Sequence, residues 1–206
     1  MLRNVWLLLR VRASVLPLTL ALFLAATSIP ASAGVIEPVR AKLTASEDAY
    51  VLSAEFKIEL GSRLEEVVSR GVPLYFTLEF DLTRSRWYWS NEHIAGRNVS
   101  YRLAYHALTR QYRLSSGALH QNFASLADAL RILGRVAAAP IVEKSALKTG
   151  ETYQAALRLA LDRQQLPKPF QLDAIANRDW QVEAKVLNWQ FTPGTQDNSA
   201  TADEKK

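Results

Sequence analysis

The sequence predicts a mainly β (α+β) fold, an antiparallel two-layer sandwich or open barrel of about eight to nine strands with two to three short helices. Apolar residues recur with a period of two in segment after segment, turn-forming clusters separate those segments at fairly regular intervals, and helical periods are confined to short stretches. The strongest alternation runs through Val72 to Trp89. There Leu74, Phe76, Leu78, Phe80 and Leu82 alternate with Tyr75, Thr77, Glu79, Asp81 and Thr83. One face of this strand must meet a core, and the polar opposite face fits an antiparallel sheet that is wet on one side.

The chain begins with a different pattern. Met1 to Arg12 carries Arg3, Arg10 and Arg12 and no acid, Val15 to Ile29 is largely apolar, and Ala31-Ser32-Ala33 supplies small residues where a signal peptidase cuts. Residues 1–33 are expected to be a cleaved leader, with the mature chain starting at Gly34. The alternative is an uncleaved anchor, but an apolar run of about 15 residues is short of the ~20 a spanning helix needs. There is no cysteine, hence no disulfide framework and no lipid-attachment site.

Residues 34–192 are expected to form one globular domain. Val39 to Thr44 is a short strand, and Tyr50 to Glu59 a second with Tyr50, Leu52, Ala54, Phe56 and Ile58 inward. Ser62 and Glu65 have the spacing of a capping box, Leu64, Val67 and Val68 form a helical stripe, and Gly71 ends it before the central strand. Ser90 to Gly96 reads as a loop. Asn98 to Leu108 alternates again, Tyr112 to Leu114 runs back, and Ala118 to Phe123 returns, making a meander. Ser125 and Asp128 cap a second helix with Leu126, Ala129, Leu130, Leu133 and Val136 on its apolar face, and Pro140 stops it. Ile141 to Leu147 and Thr152 to Asp162 form a hairpin about Gly150. Leu166 to Phe170 is an extended break, a short helix covers Gln171 to Ala176, and Trp180 to Phe191 changes phase as a strand does when it bulges or moves between sheets. Residues 193–206 are polar and unpatterned, and disorder is expected there.

Charge excludes one class of partner. The formal net charge of +5 falls to +2 without the three leader arginines, so the basic precursor is no argument for nucleic acid binding. What remains is local. Arg84, Arg86, Arg97, Arg102, Arg110 and Arg113 face a single acid, Glu92, and are interleaved with Trp87, Tyr88, Trp89, Tyr101, Tyr105 and Tyr112. If the strands are neighbours, Arg84, Arg86, Trp87, Trp89, Arg102, Arg110 and Arg113 compose a planar basic surface for anions. The plainer alternative is a solvated sheet face on which arginine stems cover apolar surface.

Other chemistry is thinly represented. Glu79 and Asp81 share a strand face about 7 Å apart, a separation compatible with paired acid and base on a sugar, although a polar outer face explains both. His93, His106 and His120 have no metal-ligand spacing, no serine sits in a nucleophile elbow, and no glycine-rich loop cradles phosphate. No catalytic constellation, metal site or cofactor is expected.

The run EFDLTRSRWYW, then YRLAYHALTRQYRLSSGALHQNFASLADAL, TYQAALRLALDRQQLPKPFQ and the closing RDWQVEAKVLNW resemble the proteobacterial domain-of-unknown-function family 4390 over about Val39 to Phe191. The resemblance implies a small exported envelope protein whose gene often neighbours that of a membrane sensor kinase, and it carries over no catalytic residue. Together these readings point to a periplasmic, non-enzymatic binding or accessory module, its expected partner an inner-membrane sensor protein, which the resemblance alone implies, or the anionic membrane surface. The alternatives are an envelope enzyme acting on glycan through Glu79 and Asp81, and a periplasmic lipid carrier.

Overall fold

The computed structural model describes residues 34–86, 91–171, 180–195 and 199–202. The expected leader, Trp87 to Trp89 and most of the expected helix at 171–176 lie outside them. Two β-sheets face each other across one core. The first is ordered β11, β1, β2, β7, built from β1 (Gly34–Ala45), β2 (Ala49–Glu59), β7 (Arg135–Glu143) and β11 (Ser199–Thr201), with β9 (Val182–Ala184) parallel to the start of β1. The second is ordered β10, β8, β3, β4, β5, β6, from β3 (Leu74–Arg84), β4 (Glu92–His106), β5 (Gln111–Ser116), β6 (Leu119–Phe123), β8 (Tyr153–Leu161) and β10 (Leu187–Phe191). All its neighbours pair antiparallel. Helices α1 (Ser62–Ser69) and α2 (Leu126–Leu133) bury Leu64, Val67, Val68, Ala129, Leu130 and Leu133 in the same core.

β3 lies between β8 and β4, and its five alternating apolar residues are at most 2% exposed. Burying each contributes roughly 1.5–3 kcal/mol before chain entropy is subtracted. Phe80 meets Trp189 of the same sheet at 6.1 Å between ring centroids, and Tyr50 of the first sheet meets Phe191 of the second edge-on at 5.1 Å, so the latter pair bridges the layers. Of the two causes expected for the phase change after Trp180, a bulge or a move between sheets, the structure has the second. β9 joins the first sheet, Lys185 and Val186 cross over, and β10 joins the second.

Several local expectations are corrected. β1 starts at Gly34, because a bulge between Pro38 and Arg40 turns Val39 to solvent and hides the alternation on its N-terminal side. No capping box forms at Ser62. The cap is Gly61 at φ 79°, a left-handed turn that glycine takes at least cost, and its carbonyl accepts the Glu65 amide at 3.1 Å. The expected loop at 90–96 is largely strand, since β4 begins at Glu92 and passes a bulge opposite Leu82 and Thr83. At Gly96 the bare backbone lets the His93 ring lie across the strand, where a Cβ would stand 2.9 Å from it.

α2 stops at Gly134 rather than Pro140. A Cβ on Gly134 would lie 2.4 Å from the Phe56 carbonyl, so the helix end presses on β2. Val136 and Pro140 then belong to β7, an edge strand with a bulge near Ala138 at φ 45°, where proline is tolerated. Lys144–Ala146, expected as strand, is a 3-10 turn. In the expected extended break, Pro167 opens a helical turn, its carbonyl accepting the Phe170 and Gln171 amides. The tail expected to be disordered contributes β11, and Ala200 is buried. Main-chain pairing on a sheet edge requires no apolar pattern of the tail, which is why composition concealed it.

Candidate functional site

Strand register fixes what each face of the second sheet carries. Because Tyr75, Thr77, Glu79 and Asp81 alternate with the buried residues of β3, their partners Arg102, Ser100, Asn98 and Gly96 on β4 share the outer face. One row across four strands is Tyr75, Arg102, Ser115 and His120; the next is Ala104, Arg113 and Asn122; the last is His106 and Gln111. Arg102 and Arg113 are therefore diagonal neighbours on adjacent strands. Arg113 Nε donates to Asn122 Oδ1 at 3.1 Å, and Arg102 is exposed beside Tyr75 and Ser115. No carboxylate occurs in sequence between Glu92 and Asp128. The β4–β5–β6 part of this face is thus basic, with polar uncharged neighbours.

The opposite end of β3 is organised differently. Arg84 donates from Nε to Glu92 Oε2 at 2.9 Å and from Nη1 to Glu151 Oε2 at 2.8 Å, and Arg86 reaches Glu92 at 2.5 Å. Arg84 first, then Arg86, holds the Glu92 carboxyl below the usual glutamate range, and Arg84 does the same to Glu151. The two carboxylates in turn raise the Arg84 pKa. Tyr153 donates to Glu151 and accepts from the Lys148 amide, fastening the cluster to β8.

The seven expected binding residues therefore do not form one surface. Arg84 lies nine residues along β3 from the position that faces Arg102, about 30 Å at the usual strand rise. Arg97 is on the inner-facing phase of β4, opposite Phe80, and donates to the Pro140 carbonyl of β7 at 2.5 Å, tying the sheets together. Arg110 stands in the β4–β5 turn at φ 52°. Trp87 and Trp89 lie outside the described residues. The structure brings together Arg102 and Arg113, separates them from Arg84 and Arg86, and adds Tyr75, His106 and His120. The sequence placed Tyr75 on the polar face of the central strand without a partner and weighed the histidines chiefly as metal ligands; for His106 and His120 the acid-free run from His93 to Ala127 was the signal.

Glu79 and Asp81 do share the outer face. Arg158 Nε and Nη2 both bind Glu79 Oε2, at 3.0 and 2.7 Å, while Asp81 Oδ1 lies 3.7 Å from His93 Nδ1. Behind the sheet, Phe76, Phe80, Tyr153, Trp180 and Phe191 are almost wholly buried between the layers, and an open cleft remains between β10 and β11 beside Glu37, Lys185 and Trp189.

Fold and face together define a β-sandwich module with one aromatic-rich core and one broad polar sheet face that is basic at one end. The chain belongs to the family described as Domain of unknown function (DUF4390), whose model matches residues 33–190. No curated protein and no solved structure matches it.

Proposed function

We propose that the chain is an exported, non-enzymatic binding or accessory module of the cell envelope, delivered to the periplasm by a leader cleaved after Ala33. Its partner is an acidic surface at the inner membrane, either of a sensor protein or of the bilayer. The observation that carries this reading is the pair Arg102 and Arg113, which stand side by side on an open sheet face with uncharged strand neighbours. Guanidinium groups so placed offer planar donors to carboxylate or phosphate. The enzyme alternative loses support because Glu79 is occupied by Arg158 on an open face. The carrier alternative has less support because the centre of the sandwich is packed with aromatic and aliphatic side chains, and the cleft between β10 and β11 is open and carries Glu37, Lys185 and Asn188 on its walls.

The test is binding of the mature protein to soluble polyglutamate and to vesicles containing phosphatidylglycerol. Arg102→Glu combined with Arg113→Glu reverses two charges and is expected to weaken binding by on the order of a hundredfold or more, with the thermal midpoint nearly unchanged. Lys42→Glu with Lys57→Glu makes the same change in net charge on the other sheet and serves as the control. Equal loss in both variants, or unaltered binding in the first, overturns the proposal.

A further inference from the structure

The β4–β5 turn, residues 107–110, carries an apolar side chain that the fold does not use. Leu108 is 101% exposed, more than Leu119, Val186 or Val39, the other exposed large apolar residues among those described. A solvated turn is ordinarily polar, and leaving a leucine there forgoes the benefit of burial that its side chain brings elsewhere. Its surroundings are cationic. Arg110 is in the same turn, His106 ends β4, and Arg113 and Arg102 follow on the outer face, about 10–20 Å from the tip by strand rise. Of the carboxylates on the adjoining segments, Glu66 binds Arg63 and Arg70, and Asp162 accepts from the Gln164 amide and the Gln165 side chain, while Glu65 is exposed on α1.

An apolar tip behind which arginines are ranged is the arrangement that suits a bilayer interface. The leucine enters the boundary between headgroups and acyl chains, and long basic side chains reach back to anionic headgroups. We infer that the β4–β5 hairpin docks the protein peripherally on an anionic lipid surface, with Leu108 as the inserted anchor and Arg102, Arg110 and Arg113 as the headgroup contacts. This rests on the basic face assigned above and narrows its partner from any acidic surface to the membrane. An acidic protein segment would match the arginines but would leave Leu108 in water.

Because the chain has no cysteine, Leu108→Cys labelled with an environment-sensitive fluorophore reports on the tip alone. On phosphatidylglycerol vesicles its emission is expected to shift to the blue and to be quenched by nitroxide-bearing acyl chains, whereas a label at Lys42→Cys responds to neither. Leu108→Ser is expected to weaken vesicle binding about tenfold while leaving polyglutamate binding unchanged. Arg110→Gln is expected to weaken vesicle binding about fivefold, and phosphatidylcholine vesicles bind poorly. Polyglutamate binding without vesicle binding overturns the lipid inference and leaves the basic face standing. Vesicle binding with a silent label at 108 overturns the anchoring role of the hairpin. Vesicle binding that survives charge reversal at Arg102 and Arg113 removes both.

Discussion

At one end of the β3–β4 ladder Arg84 is held by Glu92 and Glu151, with Arg86 sharing Glu92; about 30 Å along the same ladder Arg102 and Arg113 stand among Tyr75, Ser115 and Asn122. Both ends are arginine-rich in sequence, and they differ in what the fold brings beside them. Glu151 is remote in the chain and arrives because β8 pairs with β3. The first end therefore has its charge satisfied internally and serves to fasten strands. The second retains donors for an external anion. Counting charges along a chain sums these two cases, and only the pairing of strands separates them.

The largest effect expected is at what the two ends share. Phe80 lies under the middle of β3, is 1% exposed and packs against Trp189. Phe80→Ala is expected to cost about 3–5 kcal/mol, the lost transfer energy plus a cavity. In urea titrations, the Arg84 cluster and the basic end should fail in one transition. Separate transitions for probes at the two ends would break the comparison, because the ends would then belong to independent units.

How much of this contrast was legible beforehand differs by level. The alternation of β3 named its buried face residue by residue, because a period of two on a half-wet sheet has one interpretation. The change of phase before Leu187 marked an irregularity there, and only the pairing of β9 and β10 showed it to be a crossing between sheets and not a bulge. Helix ends and edge strands were misjudged where glycine packing or main-chain pairing decided. The end of α2 at Gly134 packs on the Phe56 carbonyl, a neighbour 78 positions away that leaves no room for a Cβ, and β11 pairs through groups every residue possesses. The site was half legible for the same reason. Composition flagged Arg102 and Arg113, but nothing local could show that Glu92 and Glu151 would converge on Arg84, or that Arg97 would face inward.

A smaller effect distinguishes support for the two ends. Ser125 Oγ accepts the Asp128 amide at 3.1 Å and donates to the Asp128 carboxylate at 2.7 Å, capping the helix that lies against β5 and β6. Ser125→Ala is expected to cost about 1 kcal/mol. Amide exchange should quicken in α2 and β5–β6 more than around Arg84 and Tyr153. Uniform quickening would mean that α2 steadies the whole sandwich equally and that the basic end has no support of its own.

The smallest effect concerns acid. Glu92 and Glu151 are held below their ordinary value of 4.5 chiefly by Arg84, so their stabilising contribution is complete above that value and fades as pH falls through the lower value of the folded state. Urea unfolding between about pH 7 and about pH 3 should therefore show a loss of stability below 4.5 that Arg84→Gln with Arg86→Gln makes shallower. That variant is less stable than the parent at neutral pH and approaches it in acid. Arg102→Gln, which removes an arginine with no carboxylate among its strand neighbours, should leave the slope of the parent intact. If Arg102→Gln flattens the acid limb as much as the Arg84 variant does, a carboxylate is bound at the basic end as well, and the arginines there are already spent.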